Sequence, residues 1–319
     1  MNVLVTGGSG TIGGYVLRSL LKAGHVVTCF SRTAPHVTGV RFIMGDVTNL
    51  EQIDRACHGH DTVIHLAAVP GPGRATLAQM LHVNVTGTGL VLEAAFRAGV
   101  GKVVFASSGA VSGFSFQNKD ILPQYLPLDE QHQCEPHDEY GLSKLLAELT
   151  CKRYTDAFGL RTICLRINHN WYVDREGAEV AVLSGWAQNL SVDELWTQRY
   201  QKCLQDAEGN WPVPGPPRPR NLLWAVTDAR DAAQAFRLAV ENDSIQHNVF
   251  QINGSKTCSL VETETLIARY FPGVPMKSTL NGFDSLVSHT KATKLLGYRP
   301  QYSWRESDFA VWLAKRTPV

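Results

Sequence analysis

No apolar run in this chain approaches the roughly 18 residues that a membrane-spanning helix needs, so no membrane span is predicted. The opening Met1-Asn2-Val3-Leu4-Val5-Thr6-Gly7 has no basic segment, and its apolar stretch is too short for a secretory leader. There is no C-x-x-C pair. The seven cysteines (29, 57, 134, 151, 164, 203 and 258) are an odd, scattered set, which points to buried thiols in a reducing compartment, here the cytoplasm. An excess of either charge is also missing. Lys plus Arg number 30 and Asp plus Glu 29, a net charge of +1, so neither nucleic acid nor an anionic membrane is an expected partner. Hydrophobic residues at 44% and charged residues at 18% exclude a disordered chain. No internal repeat stands out. At roughly 150 residues per domain, 319 residues suggest two domains or one large α/β domain with an appendage.

What is present is an alternation of short apolar runs with helical patterns. Strands are predicted at Asn2–Thr6, His25–Phe30, Val40–Met44, Thr62–Leu66, Lys102–Ser107 and Arg161–Arg166. Four are almost continuous Val, Ile, Leu and Phe, as in parallel strands covered on both faces. Helices are predicted at Thr11–Ala23, Leu50–His58, Leu77–Ala98 and Glu139–Ala157. This order predicts an α/β fold with a doubly wound parallel sheet. The rhythm breaks after Arg166. Val192–Asp206 reads as a polar helix, and Trp211–Arg220, with prolines at 212, 214, 216, 217 and 219, as a loop or linker. Helix returns at Thr227–Ala239 and strand at Asn248–Ile252. The division expected is a dinucleotide-binding domain over 1–166, rejoined by 222–252, and a smaller substrate-binding region over 167–221 and 253–319.

The strongest local motif is Thr6-Gly7-Gly8-Ser9-Gly10-Thr11-Ile12-Gly13, between the first strand and the first helix. Glycines there permit positive φ and close backbone approach, and the helix start offers N–H groups to a pyrophosphate. Gly7, Gly10, Thr11, Ile12 and Gly13 are therefore candidate cofactor contacts; the bland alternative is a glycine-rich turn. An NAD site usually carries an acid at the end of the second strand. No Asp or Glu precedes Asp46, and the second strand ends in Ser31-Arg32. A guanidinium and a hydroxyl suit a 2′-phosphate, which puts NADP ahead of NAD, although Arg32 could instead be solvated or stack on adenine. Asp46-Val47 after the third strand could meet the adenine amino group or begin a helix. Leu66-Ala67-Ala68 after the fourth could admit the cofactor or simply pack. His58, His60 and His65 lie close in sequence, but no fourth ligand is suitably spaced and no metal is expected.

Tyr140 and Lys144 lie four apart on one predicted helical face. A phenol near pKa 10 needs a neighbouring cation to work at neutral pH. Ser107-Ser108 ends the fifth strand, at the sheet edge where α/β ligands bind.

With these motifs, Asn84 in Asn84-Val85-Thr86-Gly87-Thr88, and the late Ser288-His289-Thr290-Lys291-Ala292 and Leu295–Pro300, the chain resembles the extended short-chain dehydrogenase/reductases of the NAD(P)-dependent epimerase/dehydratase family. The resemblance covers nearly the whole chain. It implies a Rossmann fold, Tyr140 as acid/base, Lys144 lowering its pKa and holding the nicotinamide ribose, Ser108 on the reacting oxygen, and Asn84 bracing the site. It also implies a homodimer built from the helices of 77–98 and 139–157, unless their apolar stripes are used up against the sheet. There are departures. The family's aromatic after the serine pair is Ser112 here, in Val111-Ser112-Gly113. Gly109-Ala110 replaces the acidic pair of sugar dehydratases, which argues against elimination chemistry. His169 or Asn168 stands at the family's substrate-touching Asn. Arg220 stands where a phosphate-binding Arg is common, followed by Asn221 rather than Asp. The loop before Tyr140 carries Phe114, Phe116, Tyr125 and Leu126 and could roof the site. The implied activity is hydride transfer between nicotinamide and a carbinol or carbonyl carbon of a sugar or nucleotide sugar. Two alternatives stay open: an NADPH-dependent reductase of a small non-sugar carbonyl compound, and a non-catalytic dinucleotide-sensing regulator.

Overall fold

The computed structural model describes residues 1–116, 121–171, 221–259 and 262–303. The proposed helix at 192–206, the Pro-rich 211–220 and Arg220 lie outside them. Seven strands, β1 (Asn2–Thr6), β2 (Val26–Ser31), β3 (Arg41–Met44), β4 (Thr62–His65), β5 (Lys102–Ser108), β6 (Arg161–Ile167) and β9 (His247–Ile252), form one sheet in the order β3-β2-β1-β4-β5-β6-β9. All its pairings are parallel. Two short strands, β7 (His169–Trp171) and β8 (Val226–Asp228), pair separately.

Helices cover both faces, as near-continuous apolar strands require. On one side α1 (Thr11–Lys22), α6 (Ala229–Glu241) and α8 (Thr290–Leu296) pack over Val3, Val5, Ile163, Leu165 and Phe250. Val16, Leu17 and Leu20 of α1 are fully buried, each worth about 1.5–3 kcal/mol. On the other side α2 (Leu50–Cys57), α4 (Gly87–Arg97) and α5 (Glu139–Phe158) pack over Leu4, Val63, Val103 and Phe105. A third cluster, with Phe114, Leu126, Trp224, Phe271 and Leu286, lies under the loops and α7 (Thr263–Tyr270).

Two sequence expectations need correction. The single helix at 77–98 is α3 (Leu77–Leu81), a widened π turn (His82–Thr86) and α4. The helix expected from Thr227 begins at Ala229, because 226–228 is strand β8 and the Asp228 carboxylate caps the helix through the Arg230 N–H at 2.8 Å. The buried Lys102 joins the sheet to the end of α6. Its Nζ donates to the carbonyls of Ala239 (3.2 Å) and Val240 (2.7 Å), a favourable cation at a helix C-terminus.

Candidate active site

In this strand order the chain leaves β1 and β4 in opposite directions, which opens a crevice at their C-terminal ends. Gly7 lines it at φ +70°, and a Cβ there would stand 2.6 Å from the Ala67 nitrogen. A Cβ on Gly13 would collide with the Gly8 carbonyl. No side chain caps α1 and no acid sits in its first turn, so the positive helix end at Gly10–Gly13 faces the crevice uncompensated. These features fit a dinucleotide pyrophosphate, with the backbone of Leu66 and Ala67 standing against Gly7.

At the far end of the cradle the picture differs from the sequence reading. Ser31, expected to reach a ribose phosphate, is buried. Its Oγ accepts from the Ser9 N–H (3.4 Å) and meets Cys29 Sγ (3.2 Å), so it grips the glycine loop from beneath. Arg32 and Thr33 are the exposed pair, and Thr33 Oγ1 donates to Ser9 Oγ at 3.1 Å. Thr33 was missed; it lies in the bend just past the end of β2. Asp46 is not a helix cap; Asn49 caps α2. Asp46 Oδ1 accepts from the N–H (2.9 Å) and hydroxyl (2.8 Å) of Thr48. The Thr48 N–H bond is the main cause holding its carboxyl below the ordinary range, with help from the Arg32 charge. Val47 is buried in the core beneath.

Both ring nitrogens of His65 are taken up by hydroxyl groups. Its ring lies between Thr6 Oγ1 (2.7 Å from Nδ1) and Thr88 Oγ1 (3.0 Å from Nε2). Thr88 donates its own proton to the Asn84 carbonyl at 2.6 Å, which assigns the imidazole proton to Nε2. Burial, aided by the Lys144 charge, pushes the His65 pKa down to about 3. The chain of bonds continues into the π turn. Asn84 accepts from the Val69 N–H (2.8 Å) and donates to the Val69 carbonyl (3.1 Å) and Ser143 Oγ (2.9 Å). Ser143 donates to the Tyr140 carbonyl at 2.8 Å. The asparagine thus braces the turn that carries the tyrosine.

Ser108, Tyr140 and Lys144 come together where β5 ends against the start of α5. Asp138 caps α5 through the Gly141 N–H at 2.8 Å. Ser108 hydrogen-bonds the phenol, and its Oγ also accepts from the Ala110 N–H at 3.1 Å. Lys144 is buried. Its Nζ donates to the Ala106 carbonyl (2.8 Å) and lies 4.8 Å from the Phe105 ring centre and 5.7 Å from that of Tyr140. Burial lowers the Lys144 pKa to about 8. The expected lowering of the Tyr140 pKa is not found. Burial pushes it up to about 12, against the Ser108 hydrogen bond, and the Asp138 charge adds to the rise. Desolvation outweighs the Ser108 hydrogen bond, so the phenol is neutral at pH 7.

Beneath the serines lies an ion pair that the sequence reading missed. Arg166 grips Glu148 with two bonds (2.9 and 2.7 Å), Ser107 donates to Glu148 at 2.5 Å, and Arg166 reaches Cys134 Sγ at 3.1 Å. Glu148 falls four residues after Lys144 on the same face, the one signal that could have found it. Of the two substrate-side candidates, Asn168 is buried, its amide tied to Gln251 (3.3 Å) and Ile252 (3.4 Å), and a Cβ on Gly109 would collide with it. His169, partly exposed, opens β7.

A parallel sheet with a bare glycine turn in its central crevice, next to a serine, a tyrosine and a lysine at the following strand end, defines a nicotinamide-dependent enzyme of the extended short-chain dehydrogenase/reductase type. The chain belongs to the NAD dependent epimerase/dehydratase family, whose model matches residues 3–252. It is 28% identical to a UDP-glucose 4-epimerase of Corynebacterium glutamicum, over 95% of this chain and 92% of that protein. It is 32% identical to an L-arabinose 1-dehydrogenase (NAD(P)(+)) of Haloferax volcanii, over 82% and 92%. A short-chain dehydrogenase/reductase superfamily protein from Agrobacterium tumefaciens, solved with bound NAD, shares the fold with a TM-score of 0.69 at 24% identity, over 99% of this chain and 95% of that one. No helix among the described residues is long and apolar enough to cross a membrane.

Proposed function

We propose that this enzyme moves a hydride between nicotinamide and a carbon bearing oxygen in a sugar or nucleotide sugar, with Tyr140 as the acid/base. The observation that carries the reading is the meeting of Ser108, Tyr140 and Lys144 beside the glycine cradle. When bound, nicotinamide supplies or takes up the hydride. The N–H groups at the start of α1 would hold the pyrophosphate, and Leu66–Ala68, Asn84, Tyr140 and Lys144 would flank the nicotinamide half. Tyr140 begins as a neutral phenol and gives its proton to the substrate oxygen as a carbonyl is reduced. Ser108, already bonded to the phenol, orients the same oxygen. Lys144 keeps a positive charge at pH 7, which eases the phenolate left behind. His169 and Arg220 are the candidate substrate contacts.

NADP stands ahead of NAD because Arg32 is exposed where an acid would otherwise refuse a 2′-phosphate. The neutral phenol suits the reducing direction, which the second reading, a reductase of a small non-sugar carbonyl compound using NADPH, shares. A dinucleotide sensor would have no use for the intact Ser–Tyr–Lys set. The protein acts as a homodimer. The test is turnover of NADPH and NADH against nucleotide sugars, uronates and simple carbonyls, with a coupled epimerase assay alongside. Turnover of a sugar that is lost in Tyr140→Phe supports the reading; turnover of non-sugar carbonyls alone favours the second, and no turnover of any substrate overturns both.

A further inference from the structure

The loop joining β4 to α3 runs from the cofactor crevice to the catalytic helix. At its start Ala67 packs on Gly7, and Asn84 clamps both backbone groups of Val69. The chain then turns through Gly71 and Gly73, with Gly71 and Pro72 buried. At Gly73 the backbone N–H donates to Glu139 Oε1 at 2.9 Å, across 66 residues of sequence. Glu139 is the first residue of α5 and the neighbour of Tyr140.

An acid in a first helical turn is often there for the helix dipole or as a cap. Here Asp138 is the cap, and the side chain of Glu139 engages the loop instead. Both ends of the loop are thereby tied to the turn that bears the tyrosine: Val69 through Asn84 and Ser143, and Gly73 through Glu139. We propose that Glu139 is a positioning residue whose carboxylate latches residues 70–76 onto α5, fixing the wall of the crevice and the placement of Tyr140. The latch needs an acceptor at this position and no charge, so glutamine can serve and alanine cannot. Its catalytic consequence rests on Tyr140 being the acid/base; the latch itself does not.

The test compares full-length Glu139→Ala and Glu139→Gln by amide hydrogen exchange without substrate and by steady-state kinetics. In Glu139→Ala, exchange over 69–76 rises about tenfold or more while β1 and β4 keep their protection. The same variant loses about tenfold in kcat, with cofactor affinity within about twofold of wild type. Glu139→Gln restores both to within about threefold of wild type, since its amide oxygen accepts the same N–H. Unchanged exchange in the alanine variant, or a glutamine variant as impaired as alanine, overturns the latch. Glu139→Leu, which keeps side-chain bulk but has no acceptor, gives the same comparison if the alanine variant fails to fold. Because exchange is read without turnover, an inactive wild type would refute the proposed chemistry and leave the latch still decided.

Discussion

In the proposed function Tyr140 carries the reaction and Arg32 the cofactor choice, the first half-buried at the start of α5 and the second open to solvent. For Tyr140, burial sets the protonation state: the phenol is pushed up to about 12 and is neutral at any physiological pH. Tyr140→Phe keeps the ring and removes the transferable proton, so kcat should fall by about 10²–10⁴ with cofactor binding nearly intact. Stopped-flow turnover and fluorescence titration of the reduced cofactor check the two halves, and near-normal kcat would refute the role. For Arg32, solvent screening limits a phosphate contact to about 1–3 kcal/mol, roughly five- to a hundredfold in affinity. Asp46, ionised and close enough to feel Arg32, competes for it. Arg32→Ala should weaken NADP(H) and leave NAD(H) nearly unchanged. Equal losses in paired titrations would mean that the guanidinium stacks on adenine instead.

The elements show what a sequence reveals of itself and what it conceals. The six strands expected over 1–166 are all present, with ends shifted by no more than a residue, because parallel strands covered on both faces must be apolar throughout. The spacing of Tyr140 and Lys144 was legible for a similar reason: it is a local helical period. The π turn at 82–86 was not, since it serves a buried Asn84 amide whose partners, Val69 and Ser143, come from other elements. Nor was the inward turn of Ser31, the Glu148–Arg166 pair, the Glu139–Gly73 bond or the raised Tyr140 pKa, which all depend on what tertiary packing brings close. Asp231, in the first turn of α6, is another such case. Its carboxylate accepts from the backbone N–H groups of Gln301 (2.9 Å) and Tyr302 (3.0 Å), yet burial raises its pKa to about 6. A folded pKa above the unfolded one gives stability that is present in full below about pH 4 and lost as pH rises through about 6. The side chain is almost wholly enclosed, so the contribution is about 1–3 kcal/mol. Thermal midpoints from pH 4 to 7 should therefore show wild type losing ground to Asp231→Asn as pH rises. Parallel curves for the two proteins would mean that Asp231 titrates as an ordinary carboxyl.

At the scale of the whole molecule, an apolar stripe on α5 stands exposed among the described residues. On α5, Ala147, Glu148 and Cys151 turn towards the sheet, while Leu142 and Leu149, seven residues apart on one stripe, are 39% and 57% exposed. Leu145 and Leu146 fall between them on the same side and are partly exposed. The helix stands beside α4, joined to it by Tyr154 donating to Glu93 (2.8 Å) and by Phe96 stacked on Phe158 at 4.8 Å. Leu77 of α3 is 53% exposed. Among the described residues the sheet does not use up these stripes, and a leucine row exposed on a helix is the kind of surface a twofold axis covers with its own copy. Burying a leucine is worth about 1.5–3 kcal/mol, and an isologous interface counts it twice. Leu149→Glu removes both contacts and brings two like charges towards the axis, so dimerisation should weaken by about 10²–10⁴. Light scattering at micromolar concentration should report a dimer for wild type and a monomer for Leu149→Glu. The variant's unfolding should remain cooperative, since the side chain is not part of the core. A monomeric wild type would reject the dimer. A Leu149→Glu protein that stays dimeric would move the interface to another face.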